Sequence, residues 1–492
     1  MNPSESISRK VVSGGLWIFT LRIAQQILGI VKLIVLALFL APYDFGLVGI
    51  ALLTISIVDV FSQTGFQQAL VYRKGSIEGH LDAAWTFLVF RGIALFLILF
   101  VLAYPAAELF RSPEATPIIQ VAGVSFLLQA FSNIGVVYFQ KNLEFRKQFV
   151  YMLSGTVMDF SVAIGAAVIF QNAWALVAGL LAGSAIKLIA SYLIHPSRPR
   201  FSLEWSRAKD LFGYGKWVFW SGVLVFAVTQ GDGIVVGAAL GATALGLYQM
   251  ACKFSNAPVT EVTHVLSQVT FPAFSRLQNE LERVRDAYVK VLQVAAYASF
   301  AMAAAIFALA PEFVGVFLGE EWESIVPVIM VLAIAGLLRS IGATGSSVLA
   351  GIGKPKTEAK WQSVRFIVLA VLIYPFILEW DIVGAALAVL ISAAISTVGL
   401  CYSVSHAIDC SYHAFWKALA VPTTLFLVSS ATVAVSRLVI PLHGMSQLAV
   451  LTVLGIGTFF LLTYAFDKYL GWSMRHMFRE ILGSLGFARG IK

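Results

Sequence analysis

Long apolar segments follow one another along almost the whole chain, separated by short polar stretches. A helix needs about 20 apolar residues to cross the hydrocarbon core of a bilayer, and there it must satisfy its own backbone hydrogen bonds. The composition agrees, since 59% of the 492 residues are hydrophobic and 12% are charged, against roughly 45–50% and 25% in soluble domains. The sequence therefore predicts an all-α polytopic membrane protein.

The apolar segments predict about fourteen transmembrane helices. Their approximate bounds are 11–40, 46–71, 83–105, 116–140, 148–170, 174–194, 214–240, 245–272, 289–311, 325–350, 361–378, 382–405, 415–436 and 446–466. The first segment is too long for a signal-peptide core of about 7–15 residues, so we expect it in the mature protein. The three cysteines have no metal-like spacing, so neither a disulfide framework, a metal site nor a cofactor is indicated.

Lysine and arginine are concentrated in alternate loops of this predicted topology. The opposite loops hold only Arg111 and Arg437, and one of them, residues 311–324, carries four glutamates. By the positive-inside rule both termini are cytoplasmic. The net charge of +8 thus follows from topology and does not indicate nucleic-acid binding.

A shift of 200 residues aligns the first two predicted spans with the seventh and eighth. Nine of 37 positions from 15 to 51 match their partners at 215–251 without a gap. Both copies start at the cytoplasm, which predicts two six-helix lobes related by a parallel repeat, then two further helices. The predicted divisions are an N-lobe at 1–195, a lobe linker at 196–213, a C-lobe at 214–405, spans 13 and 14 at 406–466, and a basic cytoplasmic tail at 467–492. The tail has the pattern of a basic amphipathic helix on the inner leaflet, with a solvated tail as the alternative.

A polar stripe runs along the first predicted span. Arg22, Gln25 and Lys32 fall on one face, because a helix turns about 100° per residue. Lipid offers these groups no partner, so the stripe predicts either a wet cavity or a buried polar seam.

A second stripe follows span 8 and contains Lys253 and Asn256. Its hydroxyl residues are expected to bond back to their own helix, whereas the lysine and the asparagine are candidates for ligand binding. Two lobes that rock about a cleft would expose such groups to each side in turn. We predict a cationic substrate-binding cavity lined by Arg22, Gln25, Lys32, Arg91, Lys253, Asn256 and Arg339. Lipid headgroups are an alternative partner for Arg91, and they are the favoured partner for Lys187 near the cytoplasmic end of span 6.

Acidic residues inside the spans are candidates for ion coupling or for ion pairs. Asp59 either pairs with Arg22 or Lys32 or couples transport to protons. Glu261 and His264, three residues apart, either relay protons or bond each other. The remaining candidates are Asp159 and Asp232.

Cations outnumber acids in this predicted cavity, so it favours an anion such as a phosphate or pyrophosphate. The chain has no Asp-x-Asp metal motif, and Gly351-Ile-Gly-Lys is followed by proline, where a phosphate-binding loop needs serine or threonine. We therefore expect neither an enzyme nor a nucleotide-driven pump.

Several ordered motifs carry a family resemblance. They are GGLW at 14–17, LALFLAPYDFGLVG at 36–49, DVFSQTGFQQALVYRK at 59–74, FPAFSRLQ at 271–278, GEEWESIVP at 319–327 and LAGIGKPK at 349–356. Together, over residues 10–400, they resemble Wzx-type polysaccharide repeat-unit flippases of the multidrug/oligosaccharidyl-lipid/polysaccharide (MOP) superfamily.

This resemblance implies a flippase in the bacterial inner membrane for exopolysaccharide, capsule or O-antigen synthesis. Its substrate would be an undecaprenyl-pyrophosphate-linked oligosaccharide, moved from the cytoplasmic to the periplasmic leaflet. Membrane lipids and polysaccharide polymerase or export proteins are the implied partners. The alternatives are a peptidoglycan lipid-precursor flippase and a multidrug/cation antiporter of the same superfamily, for which an acidic cavity is expected.

Overall fold

The structure, a computed structural model, describes residues 3–62, 78–202 and 205–470. Every regular element in these ranges is helical, which confirms the predicted fold class. The helices are α1 (Pro3–Ala37), α2 (Pro42–Phe61), α3 (Glu78–Leu109), α4 (Ala115–Ala122), α5 (Val124–Ala130), α6 (Val137–Lys141), α7 (Phe145–Phe170), α8 (Trp174–Ile194), α9 (Trp205–Leu240), α10 (Ala242–Leu277), α11 (Leu281–Phe317), α12 (Val326–Gly351), α13 (Pro355–Ala407), α14 (Tyr412–Val439) and α15 (Gly444–Leu470). Short 3₁₀ turns occupy Ile134–Val136 and Glu320–Ile325.

Eleven helical segments of the described chain are long and apolar enough to cross a membrane. A twelfth is obtained if Ala115–Ala130 and Ile134–Lys141, which meet at a bend of 71°, form one broken span. The multi-pass architecture is thus confirmed, whereas the count of fourteen stays a prediction.

The longest helix, α13, contains a sharp reversal. Trp380 has φ −130° and Asp381 has φ +48°, so neither backbone is helical there. On either side the chain packs against itself: the Trp361 Nε1 donates to Ser403 Oγ at 2.9 Å, and a Cβ on Gly399 would lie 2.2 Å from the Trp361 ring. The segment is therefore an antiparallel helical hairpin, which matches the two spans predicted at 361–378 and 382–405.

The chain divides into two compact units, Met1–Gln249 and Met250–Lys492. In the first unit, α2, α3 and α4 share a core that contains Ile50, Leu99 and Ile119, each fully buried. In the second unit, α11 packs against α12, α14 and α15. The predicted lobe and linker boundaries stay predictions.

Within the first unit, α2 touches the start of α10 through two glycines. A Cβ on Gly46 would lie 1.8 Å from the carbonyl oxygen of Ala242, and a Cβ on Gly246 would lie 2.0 Å from that of Pro42. The two contacts exchange when residue numbers are shifted by 200. The predicted lobe repeat stays a prediction.

The first residues of the predicted linker lie along α3 as an extended strap. The backbone amides of Arg200 and Ser202 donate to Asp82 and Thr86 side chains at 3.0 and 2.9 Å. The Phe201 ring lies 4.9 Å from Trp85. The linker is thus fixed to the first unit at least as far as Ser202.

Some predictions fall on residues outside the described ranges. These are residues 63–74 of the motif at 59–74 and most of the basic tail, of which α15 includes only 467–470.

Candidate functional site

The polar stripe of α1 faces α7. Gln25 Nε2 donates to Thr156 Oγ1 at 3.0 Å, and Lys32 Nζ lies 2.6 Å from Asp159 Oδ2. Arg22 is half-buried on the same helix. The stripe therefore includes a polar seam between two helices, as lipid exposure would leave these groups without partners.

This seam is not sealed from its surroundings. The side chains of Lys32 and Asp159 keep 19% and 27% of their surface exposed. Both charged groups therefore keep part of their surface outside the contact between the two helices.

Asp159 also faces α8, which runs antiparallel to α7. A Cβ on Gly179 would lie 2.7 Å from Asp159 Oδ1, and one on Gly183 would lie 2.9 Å from Asp159 Cβ. The stem of Lys187, one turn further along α8, crosses Gly155 and approaches within 2.3 Å of where its Cβ would be. The two α8 glycines therefore let the Asp159 side chain pack against α8, and Gly155 does the same for the stem of Lys187 one turn away.

Asp59 pairs with Arg91 on α3, and not with Arg22 or Lys32 as the sequence suggested. Arg91 Nη2 lies 2.6 Å from Asp59 Oδ1, and the guanidinium also donates to the carbonyl and hydroxyl oxygens of Ser62 at 2.9 and 2.7 Å. Arg91 thus holds the carboxyl end of α2, where free carbonyls attract a cation. The sequence prediction failed here because helix neighbours are set by packing between elements, not by spacing along one helix.

Asp232 on α9 accepts a hydrogen bond from the Tyr248 hydroxyl of α10 at 2.8 Å. Its other carboxylate oxygen accepts from the Gly233 amide at 2.9 Å. This acid therefore joins the end of α9 to the start of α10.

The remaining candidates lie in the second unit. The half-buried Arg339 of α12 donates to Asn256 Oδ1 of α10, so two predicted cavity residues meet. Lys253, one turn earlier on α10, has an exposed side chain. Glu261 and His264 also lie on α10, in a stretch whose side chains fall outside the described part, and their predicted relay stays a prediction.

Lys187 was not among the site residues predicted from the sequence. A visible signal was the spacing of Gly179, Gly183 and Lys187, four residues apart, which places two glycines and a cation on one face of α8. Glycines at this spacing permit close helix approach in membranes, so the lysine beside them was placed to meet α7. Its partner on α7 was not predictable from α8 alone.

The fold and these polar contacts define a class: a multi-pass helical membrane protein with charged side chains held inside its helix bundles, as in membrane transporters. The chain belongs to the polysaccharide biosynthesis protein family, whose model matches residues 35–327. The predicted resemblance to Wzx-type flippases is thereby confirmed at the level of the family.

Relatives and solved structures agree with this assignment. The chain is 27% identical to the lipopolysaccharide biosynthesis protein WzxC of Escherichia coli K12, over 70% of each chain. It is 25% identical to the succinoglycan biosynthesis transport protein ExoT of Rhizobium meliloti, over 76% of each chain. In structure it resembles the lipid II flippase MurJ in an inward closed conformation, with a TM-score of 0.74, 15% identity, and coverage of 93% of this chain and 99% of that one. The structural likeness shows the fold alone.

Proposed function

We propose that this protein is a flippase for undecaprenyl-pyrophosphate-linked oligosaccharide repeat units. It moves them from the cytoplasmic to the periplasmic leaflet of a bacterial inner membrane, by alternating access, for surface polysaccharide synthesis. The observation that carries the proposal is the accessible seam of Arg22, Gln25 and Lys32 within a membrane protein of this family.

The chemistry of the seam suits such a substrate. Arginine and lysine bind phosphate oxygens through charge-assisted hydrogen bonds, and Gln25 adds an amide for sugar hydroxyls. A hydrophilic glycan is stable only in a wet, polar passage, whereas its polyprenyl tail is stable in lipid. We assign Arg22, Lys32, Lys253 and Arg339 to the anionic part of the substrate and Gln25 and Asn256 to polar positioning.

Arg91 has a different role in this scheme. Because its guanidinium already contacts Asp59 and Ser62, Arg91 fixes the end of α2. We do not assign it to the initial binding of the substrate. Both termini are cytoplasmic, and the glycan passes on to polymerase and export proteins.

A reconstituted flip assay tests the proposal. Proteoliposomes are loaded with an undecaprenyl-pyrophosphate oligosaccharide, and protection of the sugar from an impermeant glycosidase is scored. We expect protein-dependent translocation that falls about 10–100-fold in Arg22→Ala and in Arg339→Ala, because each removes charge-assisted hydrogen bonds.

Lys356→Ala is the matched control, since this exposed lysine lies in the first turn of α13 and contacts no proposed site residue that the structure describes. Unchanged transport in both arginine variants would contradict the cationic site. Movement of a lipid-linked peptidoglycan precursor in place of the oligosaccharide, or of a small cationic dye, would favour one of the two alternative transport classes.

A further inference from the structure

Asp159 lies between lysines from two different helices. Lys32 of α1 is 2.6 Å from its Oδ2 atom, while Oδ1 points toward Gly179 of α8. Lys187, also on α8, packs its stem on Gly155, one turn before Asp159 on α7. One lysine thus pairs with this acid, and a second lies one helical turn away along the contact with α8.

The close packing of α7 on α8 fixes the position of Lys187. Gly155, Asp159 and Ala163 on α7 face Lys187, Gly183 and Gly179 on α8 in antiparallel order. A Cβ on Gly183 would lie 2.8 Å from the Gly155 carbonyl oxygen, so the backbones are in contact. The aliphatic stem of Lys187 is therefore held against α7, one turn from Asp159.

The charges of this cluster do not cancel. Two ammonium groups and one carboxylate leave a surplus positive charge inside a membrane protein, where unpaired charge is costly. A structural ion pair needs one lysine, so the second lysine calls for another explanation.

We infer that Lys187 is the reserve partner of Asp159, in an exchange that frees Lys32 for an anionic substrate group. Without substrate, Asp159 pairs with Lys32. When a phosphate group of the substrate binds Lys32, Asp159 pairs with Lys187 instead and stays ionised. The inference rests on the proposed function, because it describes how the site accepts the anion of that substrate.

Loss of the reserve partner should change the number of protons that the protein takes up when an anion binds. Without Lys187, a displaced Asp159 has no cation, and a carboxylate without a partner in a low-dielectric site takes up a proton. Binding of an anion to Lys187→Met should therefore consume about one proton more than binding to the unaltered protein. A lysine with a purely structural role would change affinity or stability without changing this number.

Calorimetry with inorganic pyrophosphate measures this number of protons directly. Titrations of the full-length protein in two buffers with different heats of ionisation give the protons taken up on binding. We expect the extra proton in Lys187→Met, its absence in Lys187→Arg, and its absence in the Lys187→Met, Asp159→Asn double variant. Asp159→Asn alone should bind pyrophosphate several-fold more tightly, because the competing carboxylate is gone. If Lys187→Met does not fold, Lys187→Gln takes its place in the proton measurement.

The pH dependence of transport is a second test of the exchange. In Lys187→Met, flux should fall by up to about tenfold per pH unit as pH rises above the point where the displaced acid takes its proton. The unaltered protein, Lys187→Arg and the control Lys356→Met should show no such slope. Equal proton uptake and equal pH profiles in Lys187→Met and the unaltered protein would overturn the exchange, as would a failure of the unaltered protein to bind pyrophosphate.

The two proposals fail in distinguishable ways. If the variants show the expected proton pattern but no lipid-linked oligosaccharide moves, the exchange stands and the proposed substrate is wrong. If the oligosaccharide moves and Lys187→Met matches the unaltered protein, the flippase stands and the exchange is wrong.

Discussion

Individual ion pairs stabilise charged side chains that are buried inside this protein. Arg437 of α14 donates two hydrogen bonds to Glu312 of α11, at 2.5 and 2.9 Å. The glutamate side chain is only 6% exposed, so loss of the arginine would leave a buried carboxylate without its cation. We expect Arg437→Met to lower the free energy of unfolding by about 3 kcal/mol, measured by denaturant titration in detergent. Adding Glu312→Gln should recover most of the loss, and an equally unstable double variant would contradict this account.

At the scale of helices, close packing depends on positions where no side chain fits. At both Gly46 and Gly246 a Cβ would overlap a carbonyl oxygen of the opposite helix, so we expect alanine at either position to cost about 1–3 kcal/mol. The two losses should be similar because the contacts are reciprocal. Thermal unfolding measures both.

Gly233 on α9 is the control for that comparison. The nearest atoms to its added Cβ are 3.9 Å away, so Gly233→Ala should be neutral or stabilising by up to about 1 kcal/mol, because alanine favours a helix. Gly46→Ala that behaves like Gly233→Ala would disprove the tight contact.

The linker strap is the element for which a pH effect is expected. His195 stacks on Tyr138 with ring centres 5.4 Å apart, and its Nδ1 accepts from the Ser197 amide. Burial lowers the pKa of His195, and the nearby Lys147 and Arg198 lower it further, against an opposite effect of Glu144. The folded strap therefore favours neutral histidine, so its stability is full above the ordinary pKa of about 6.5 and falls as pH drops below that value.

Hydrogen exchange of the strap amides tests this effect. Protection factors of residues 197–202, corrected for intrinsic exchange, should decline between about pH 6.5 and 5. His195→Phe keeps an aromatic ring on Tyr138 but cannot be protonated, so its protection should not vary over that range. A decline of the same size in the phenylalanine variant would assign the effect to another group.

For the whole molecule, topology is the prediction to check. The positive-inside rule places both termini and residues 350–360 in the cytoplasm, and the acidic turn at 320–325 in the periplasm. A cysteine at Glu321 should react with an impermeant maleimide added to intact cells, whereas a cysteine at Lys356 should react only after permeabilisation. Cys252, Cys401 and Cys410 are first replaced by serine. The reverse labelling pattern would invert the proposed direction of transport.

Much of the architecture was predictable, and the exceptions have specific causes. The first span, the hairpin at 361–405 and the polar stripe of α1 follow from local apolar length and helical period. The predicted partner of Asp59 was wrong because the sequence paired this acid with the polar stripe of α1, whereas the fold packs α3 with its Arg91 against the end of α2. Arg339 and Asn256 were both chosen as site residues, yet nothing in their spacing indicated that they bond each other.

The sequence by itself determined that this chain is a multi-pass helical membrane protein and that cations occur inside its apolar segments. Each of those properties depends on how one segment of about 20 residues partitions between water and lipid, which is a local quantity. The tertiary structure alone decided that Lys32 pairs with Asp159, because that contact joins residues 127 positions apart through the packing of α7 on α1. Electrostatic energy depends steeply on distance and surroundings, and only folding brings such distant charges within a few ångströms of one another.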